Sequence, residues 1–198
     1  MVCMVCMQII LYFFQFIETM KIKSCTASFE QGGFACKEAF NGITNDDGDG
    51  WAIAPGGHQG KIPAWAEFEL DQKSEINSLT LMSDHHGSHR LITFKITLNV
   101  QGEWITPNAL SIKESPDAPI GSAGTIYLTP PGLPVLTLNF DVVSNVQSIR
   151  IDVFETDASN QNLVLREIIP KFITKFSKFP CIPMYHCFMY LTMYMYCT

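Results

Sequence analysis

The sequence predicts an all-β fold of two packed sheets, and three observations carry that reading. Trp65-Ala66-Glu67-Phe68-Glu69-Leu70 alternates apolar and polar residues, as a strand with one buried face must. Similar short runs recur down the chain, separated by clusters of Gly, Pro, Asn and Asp that break regular structure. No segment carries a 3.6-residue apolar stripe over three turns, so helices have no claim on the core. The class follows from layer packing: many short strands with turn-rich spacers bury their apolar faces as sheet on sheet.

Taken in order, residues 1–20 form an apolar segment with one acid, Glu18, and no base. Residues 9–17 are apolar enough for the core of a signal peptide, but no basic stretch precedes them. Met1-Val2-Cys3 repeats as Met4-Val5-Cys6, a three-residue period with no packing logic. Two readings stand for this segment: a signal or anchor, or unselected sequence with translation beginning at Met20. Residues 21–170 hold the expected domain. Its strands are expected at 65–70, 76–82, 91–100, 125–128, 135–140, 148–154 and 163–169. Turns fall at 46–50, 55–60, 84–88, 115–124 and 130–134, where Gly, Pro, Asn and Asp concentrate. Residues 171–198 end in a Met/Tyr/Cys-rich tail that is expected to lie outside the fold.

Charge excludes some functions. The 198-residue chain has 13 Lys and Arg against 19 Asp and Glu, a net of −6. Residues 21–169 are more acidic, with 18 acids against 10 bases, a net of −8. A nucleic-acid partner is therefore not expected, and anionic lipid lacks the basic residues that would attract it. Only two of the seven cysteines, Cys25 and Cys36, lie in the central region. Their pairing is left open by the sequence, and with it the redox compartment.

Several pieces of the central region, in order, resemble the discoidin or coagulation-factor type C domain. They are Ala39-Phe40-Asn41-Gly42-Ile43, Asp49-Gly50-Trp51-Ala52, Ala64 to Leu70, His89 to Ile96, Val146 to Val153, and Leu165-Arg166-Glu167-Ile168. The resemblance spans about residues 24–169 and implies a galactose-binding-like jelly-roll β-sandwich. It also implies a non-catalytic module for glycans or glycoproteins, acting in cell adhesion outside the cell or at its surface. The alternative is a structural accessory domain of a larger multidomain protein, with no small ligand.

Two loops are candidate sites. Residues 41–50, NGITNDDGDG, offer the hard oxygen ligands that calcium prefers. The family resemblance implies a structural calcium held by this loop and a Glu of the last strand, here Asn41, Asp46, Asp47, Asp49 and Glu167. The family's loop Asp is Asn41 in this chain, one negative charge fewer, and a solvated polar turn is the competing reading. The second loop, Asp84-His85-His86-Gly87-Ser88-His89-Arg90, holds three of the five histidines. His85, His86, His89 and Arg90 are all good donors to sugar hydroxyls. A zinc site from Asp84 and these histidines is the rival reading, and a plain polar turn is the third.

Other features point to packing. Trp51 and Trp65 match core positions of the family, whereas Trp104 is not tied to the pattern. Arg150-Ile151-Asp152 resembles the Arg-x-Asp of fucose-binding lectins, but position 125, where the partner His would stand, is Thr. Strand alternation accounts for that pair. Gly-x-Ser-x-Gly, His-Glu-x-x-His, Walker and Gly-x-Gly-x-x-Gly signatures do not occur, so the chain reads as a non-enzyme.

Overall fold

The computed structural model describes residues 15–43, 50–53, 62–83, 89–159 and 162–175. They divide into a sandwich of residues 18–173 and a second unit, of which only 15–17 and 174–175 are described. The strands in chain order are β1 (Gln15–Thr19), β2 (Ile22–Ala27), β3 (Trp51–Ala52), β4 (Ala64–Ser83), β5 (Leu91–Val100), β6 (Glu103–Ile105), β7 (Ser111–Ile112), β8 (Thr125–Tyr127), β9 (Val135–Thr156) and β10 (Val164–Lys175). One 3-10 turn, Cys36–Phe40, lies between β2 and β3.

Two strands do most of the construction. The sequence suggests separate strands at 65–70 and 76–82, and again at 135–140 and 148–154. The chain instead runs each pair together as β4 and β9, which lie antiparallel along their length. The first part of β4 pairs with β2 and with the second part of β9, which in turn pairs with β5. The second part of β4 pairs with β10 and with the first part of β9, which takes β7 on its far side. Each long strand thus belongs to both sheets. The register slips between Glu69 and Ser78, and Asp71, Gln72 and Lys73 are consecutively exposed there. A bulge bends a strand and breaks its in–out alternation, which is what crossing from one sheet to the other requires.

The core lies between these sheets. Phe68, Phe94, Leu79, Leu81, Ile149 and Ile151 are buried in one cluster drawn from both halves. In residues 64–70, Ala64, Ala66, Phe68 and Leu70 point inward while Trp65, Glu67 and Glu69 point outward. Trp51 is fully buried, as its family position implies, and its indole N–H donates to the Phe29 carbonyl at 2.9 Å. Trp65 differs from expectation: alternation puts it on the outer face, half-buried under the guanidinium of Arg150, 4.5 Å from the ring centroid. Arg150 also pairs with Asp152 at 2.8 Å, so the Arg-x-Asp pair is a same-face contact two residues apart on a strand. Trp104 is 40% exposed.

β2 shows no apolar alternation because both its faces are partly covered and, after Ile22, its residues are small or polar. It is held by β4 on one side and by a Cys25–Cys36 disulfide to the 3-10 turn, with Cα atoms 6.1 Å apart. The Cys36 N–H donates to a Glu30 carboxylate oxygen at 2.8 Å, closing the same loop.

Cross-linking a loop of this size removes unfolded-state entropy worth about 3 kcal/mol. Replacing Cys25 and Cys36 together by Ser is expected to lower the unfolding midpoint by roughly 5–10 °C at this chain size. Differential scanning calorimetry with and without reductant checks it; equal midpoints would mean the bridge does not constrain the fold.

Candidate functional site

Of the predicted site residues, Asn41, His89, Arg90 and Glu167 are described. Asp46, Asp47, Asp49, His85 and His86 lie outside the described residues. The four that are described fall in two places.

The first is the junction where β5 begins. The backbone N–H of Arg90 donates to Asp157 Oδ1 at 2.7 Å, and the N–H of Gly132 donates to Oδ2 of the same carboxylate at 3.2 Å. The Arg90 guanidinium returns to the Gly132 carbonyl at 3.0 Å. The Asp157 N–H donates to the Arg90 carbonyl, and the Val164 N–H to the His89 carbonyl, both at 3.1 Å. Three loops therefore meet at His89-Arg90: the one before β5, the one at 130–134 and the one between β9 and β10. Gly132 is required by this closeness, since a Cβ there would lie 2.7 Å from the Leu91 carbonyl oxygen. Arg90 serves as a clamp between loops. His89 is half-buried at their meeting point.

The second place is the outer side of β10. A register slip between Leu165 and Glu167 breaks alternation, and Leu165, Arg166, Glu167 and Ile168 are all buried in succession. The described ends of the loop that leaves the 3-10 turn, Gly42 and Gly50, lie against this strand. Gly42 donates its N–H to Glu167 Oε2 at 3.2 Å, and Gly50 packs against the backbone of Leu165 and Arg166. Gly50 has φ of +121°, and a Cβ there would lie 2.7 Å from the Leu165 carbonyl oxygen. That is both a strained conformation and a collision for any other residue. Glu167 is 7% exposed, and a carboxylate so deeply buried must be compensated by hydrogen bonds or positive charge.

The sequence pairing of Asn41 with Glu167 is thus realised in space, through Gly42. Asn41 itself is engaged locally, its Oδ1 accepting the Ile43 N–H at 2.8 Å and its Nδ2 donating to Glu38 at 3.1 Å. One buried carboxylate, Glu167, and one amide oxygen, Asn41 Oδ1, are the described candidate oxygen ligands here; Asp46, Asp47 and Asp49 lie outside the described residues. A shallow cavity of about 390 Å³ opens at this place, lined by Phe40, Asn41, Gly42 and Glu167 among others.

Comparison with known proteins places the fold. No protein-family model matches the chain, and no curated protein matches it. Among similar solved structures is the family 32 carbohydrate-binding module of NanJ from C. perfringens, in complex with galactose. It is 16% identical with a TM-score of 0.57, over 78% of this chain and 100% of that one. A truncated AlyQ with family 32 module and alginate lyase domains is 15% identical, with a TM-score of 0.56, over 84% of this chain and 36% of that one. SpGH29 is 18% identical with a TM-score of 0.55, over 76% of this chain; the match spans only 27% of that protein's length. Likeness at these identities establishes the fold, the galactose-binding-like jelly-roll β-sandwich that the sequence resemblance implied.

Asp157 holds two backbone N–H groups of different loops, and removing it leaves both without their acceptor. Asp157→Ala is expected to cost about 2–3 kcal/mol, in the range for buried donors losing a charged partner. Gly50→Ala is expected to cost at least as much, through backbone collision and positive φ together. Urea unfolding of each variant measures both; a change within about 0.5 kcal/mol, as for an ordinary surface substitution, would refute the account.

Proposed function

We propose that this chain is a non-catalytic binding module that recognises a carbohydrate or other cell-surface ligand through loops at one end of its β-sandwich. The observation that carries the proposal is the fold shared with carbohydrate-binding modules, one of them, from NanJ, in complex with galactose. The convergence of three loops on His89-Arg90 supports it locally, because loops fixed by a rigid sandwich are where ligand-binding residues concentrate. In this reading His89, with His85 and His86 from the preceding loop, donates to sugar hydroxyls, and Arg90 holds the loops in place.

Calcium is assigned a structural role between the 41–49 loop and Glu167. The place of Glu167 supports it, since its carboxylate, a hard oxygen ligand, meets the start of that loop at Gly42. An extracellular or cell-surface setting is assigned on the Cys25–Cys36 disulfide, a bond that persists in oxidising compartments. Among the described residues no helix is long and apolar enough to cross a membrane.

A second reading keeps the fold and drops the ligand: an accessory domain packed beside others in a longer protein. The truncated AlyQ, in which such a module accompanies a lyase domain, favours it. Glycan screening separates the two, since an accessory domain without a small ligand binds no glycan.

With calcium at about a hundred times its dissociation constant, the native state gains about 2.7 kcal/mol, which for this size raises the midpoint by roughly 5–10 °C. EDTA should reverse the rise and Glu167→Gln should abolish it; an unchanged midpoint in all three conditions would leave a polar turn. On a glycan array, His89→Ala should weaken the best ligand about tenfold at unchanged stability, whereas Arg90→Ala should lower the unfolding midpoint. Unaltered binding by His89→Ala would remove the loop assignment.

A further inference from the structure

We propose a zinc site that the Cys25–Cys36 bridge conceals: when the bridge is reduced, the two sulfurs and the Glu30 carboxylate hold one zinc ion. The ligand atoms of Cys25, Glu30 and Cys36 lie within 4.8 Å of one another. Among the described residues no other three His, Cys, Asp or Glu side chains bring their ligand atoms so close. Tetrahedral zinc, with Zn–S bonds of about 2.3 Å, sets two sulfurs about 3.8 Å apart. Cα atoms 6.1 Å apart allow that spread by side-chain rotation alone.

The ligands are positioned by contacts that do not pass through the bridge. Cys25 is held in β2, opposite Phe68 of β4. Glu30 is fixed from both sides. Before it, the Phe29 carbonyl accepts the Trp51 indole N–H at 2.9 Å. After it, the Gln31 N–H donates to the Ala52 carbonyl at 3.0 Å, and the Ala52 N–H donates to the Phe34 carbonyl at 3.2 Å. The Cys36 N–H, donating to Glu30 Oε1 at 2.8 Å, draws the carboxylate toward the turn that carries the second sulfur. A metal would therefore close the same loop that the disulfide closes, between the same two residues.

Donor chemistry selects the ion. Two thiolates are too soft a pair for calcium or magnesium, whereas two thiolates with one carboxylate suit zinc. Cys36 is buried, Cys25 is half-buried and Glu30 is exposed, so the site faces water on its carboxylate side. Three protein ligands leave the fourth tetrahedral position to a water molecule. Reduction by a dithiol delivers two electrons and two protons to the sulfurs and leaves the dithiol as its own disulfide. Zinc then displaces both thiol protons to solvent as the two Zn–S bonds form.

The test uses the full-length chain with Cys3, Cys6, Cys181, Cys187 and Cys197 replaced by Ser, so that Cys25 and Cys36 are its only thiols. A phosphine reduces the bridge, becoming the phosphine oxide with the oxygen of one water. Calorimetric titration should then find one zinc per chain, and cobalt in its place should give thiolate-to-metal charge-transfer absorption. Zinc at about a hundred times its dissociation constant should raise the unfolding midpoint of the reduced chain by roughly 5–10 °C. Cys36→Ser should abolish the cobalt band of a two-thiolate site, and Glu30→Gln should weaken zinc about tenfold or more while leaving the midpoint of the oxidised chain unchanged. Equal uptake by the oxidised chain would place the zinc elsewhere, at the histidines of 85–89 for example, and would overturn the site. Undiminished binding by Glu30→Gln or by Cys36→Ser would overturn it as well. So would zinc uptake by the reduced chain with no gain in midpoint, which is binding by an unfolded chain.

Discussion

The pairing of β4 with β9 is the contact on which the remaining elements depend, because each strand contributes to both sheets. β2 and β5 flank one part of the pair, and β10 and β7 flank the other. Inward residues from both parts, Phe68 and Ile149 on one side and Leu79 and Leu138 on the other, are buried in a single core. The slip between Glu69 and Ser78 is therefore a requirement of the architecture. Without an irregularity there, a pair about twenty residues long would stay in one twisted sheet and leave its apolar face in water.

The same dependence explains what the sequence made legible. Alternation in 65–70 and 91–98 marks the strands and the inward set Phe68, Phe94 and Ile96, because one face of each is fully buried. It could not show that 65–70 and 76–82 are one strand. Polar Asp71-Gln72-Lys73 interrupts the alternation, and only the pairing with β9 reveals that the chain continues through it as one strand. β2 and β3 are illegible for the opposite reason: β2 mixes small, polar and apolar residues and is half-covered on both faces, and β3 is two residues long. Trp65 was misplaced as core because its family position outweighed its own alternation phase, which Ala64, Ala66 and Phe68 had already set.

The candidate sites show a similar division. That Asn41 and Glu167 belong together was visible only through the order of motifs along the chain, since 125 residues separate Gly42 from Glu167. Their distance in sequence carries no spacing rule that chemistry alone could read. Arg90 was visible as a donor but its acceptor was not, since Gly132 and Asp157 come from loops whose only sequence mark is turn composition.

A groove of about 630 Å³ on the outer face of β2, β4 and β9 holds Glu67 and Glu69, and paired carboxylates suggest hydrolysis. Glycoside cleavage needs two carboxyl groups on opposite sides of the scissile bond, one of them protonated to donate to the leaving oxygen. Glu67 and Glu69 are two residues apart on one strand, so both rise from the same floor. A saccharide lying on the sheet would meet both on the same side, and among the described residues the groove is lined only from β2, β4 and β9. Glu69 is unsuited to the acid role besides. The Ser24 hydroxyl, donating at 2.6 Å, and the Lys23 ammonium hold its carboxyl below the usual carboxylate range, so it stays ionised. Glu67 and Glu69 therefore lack the opposed placement that glycoside cleavage requires.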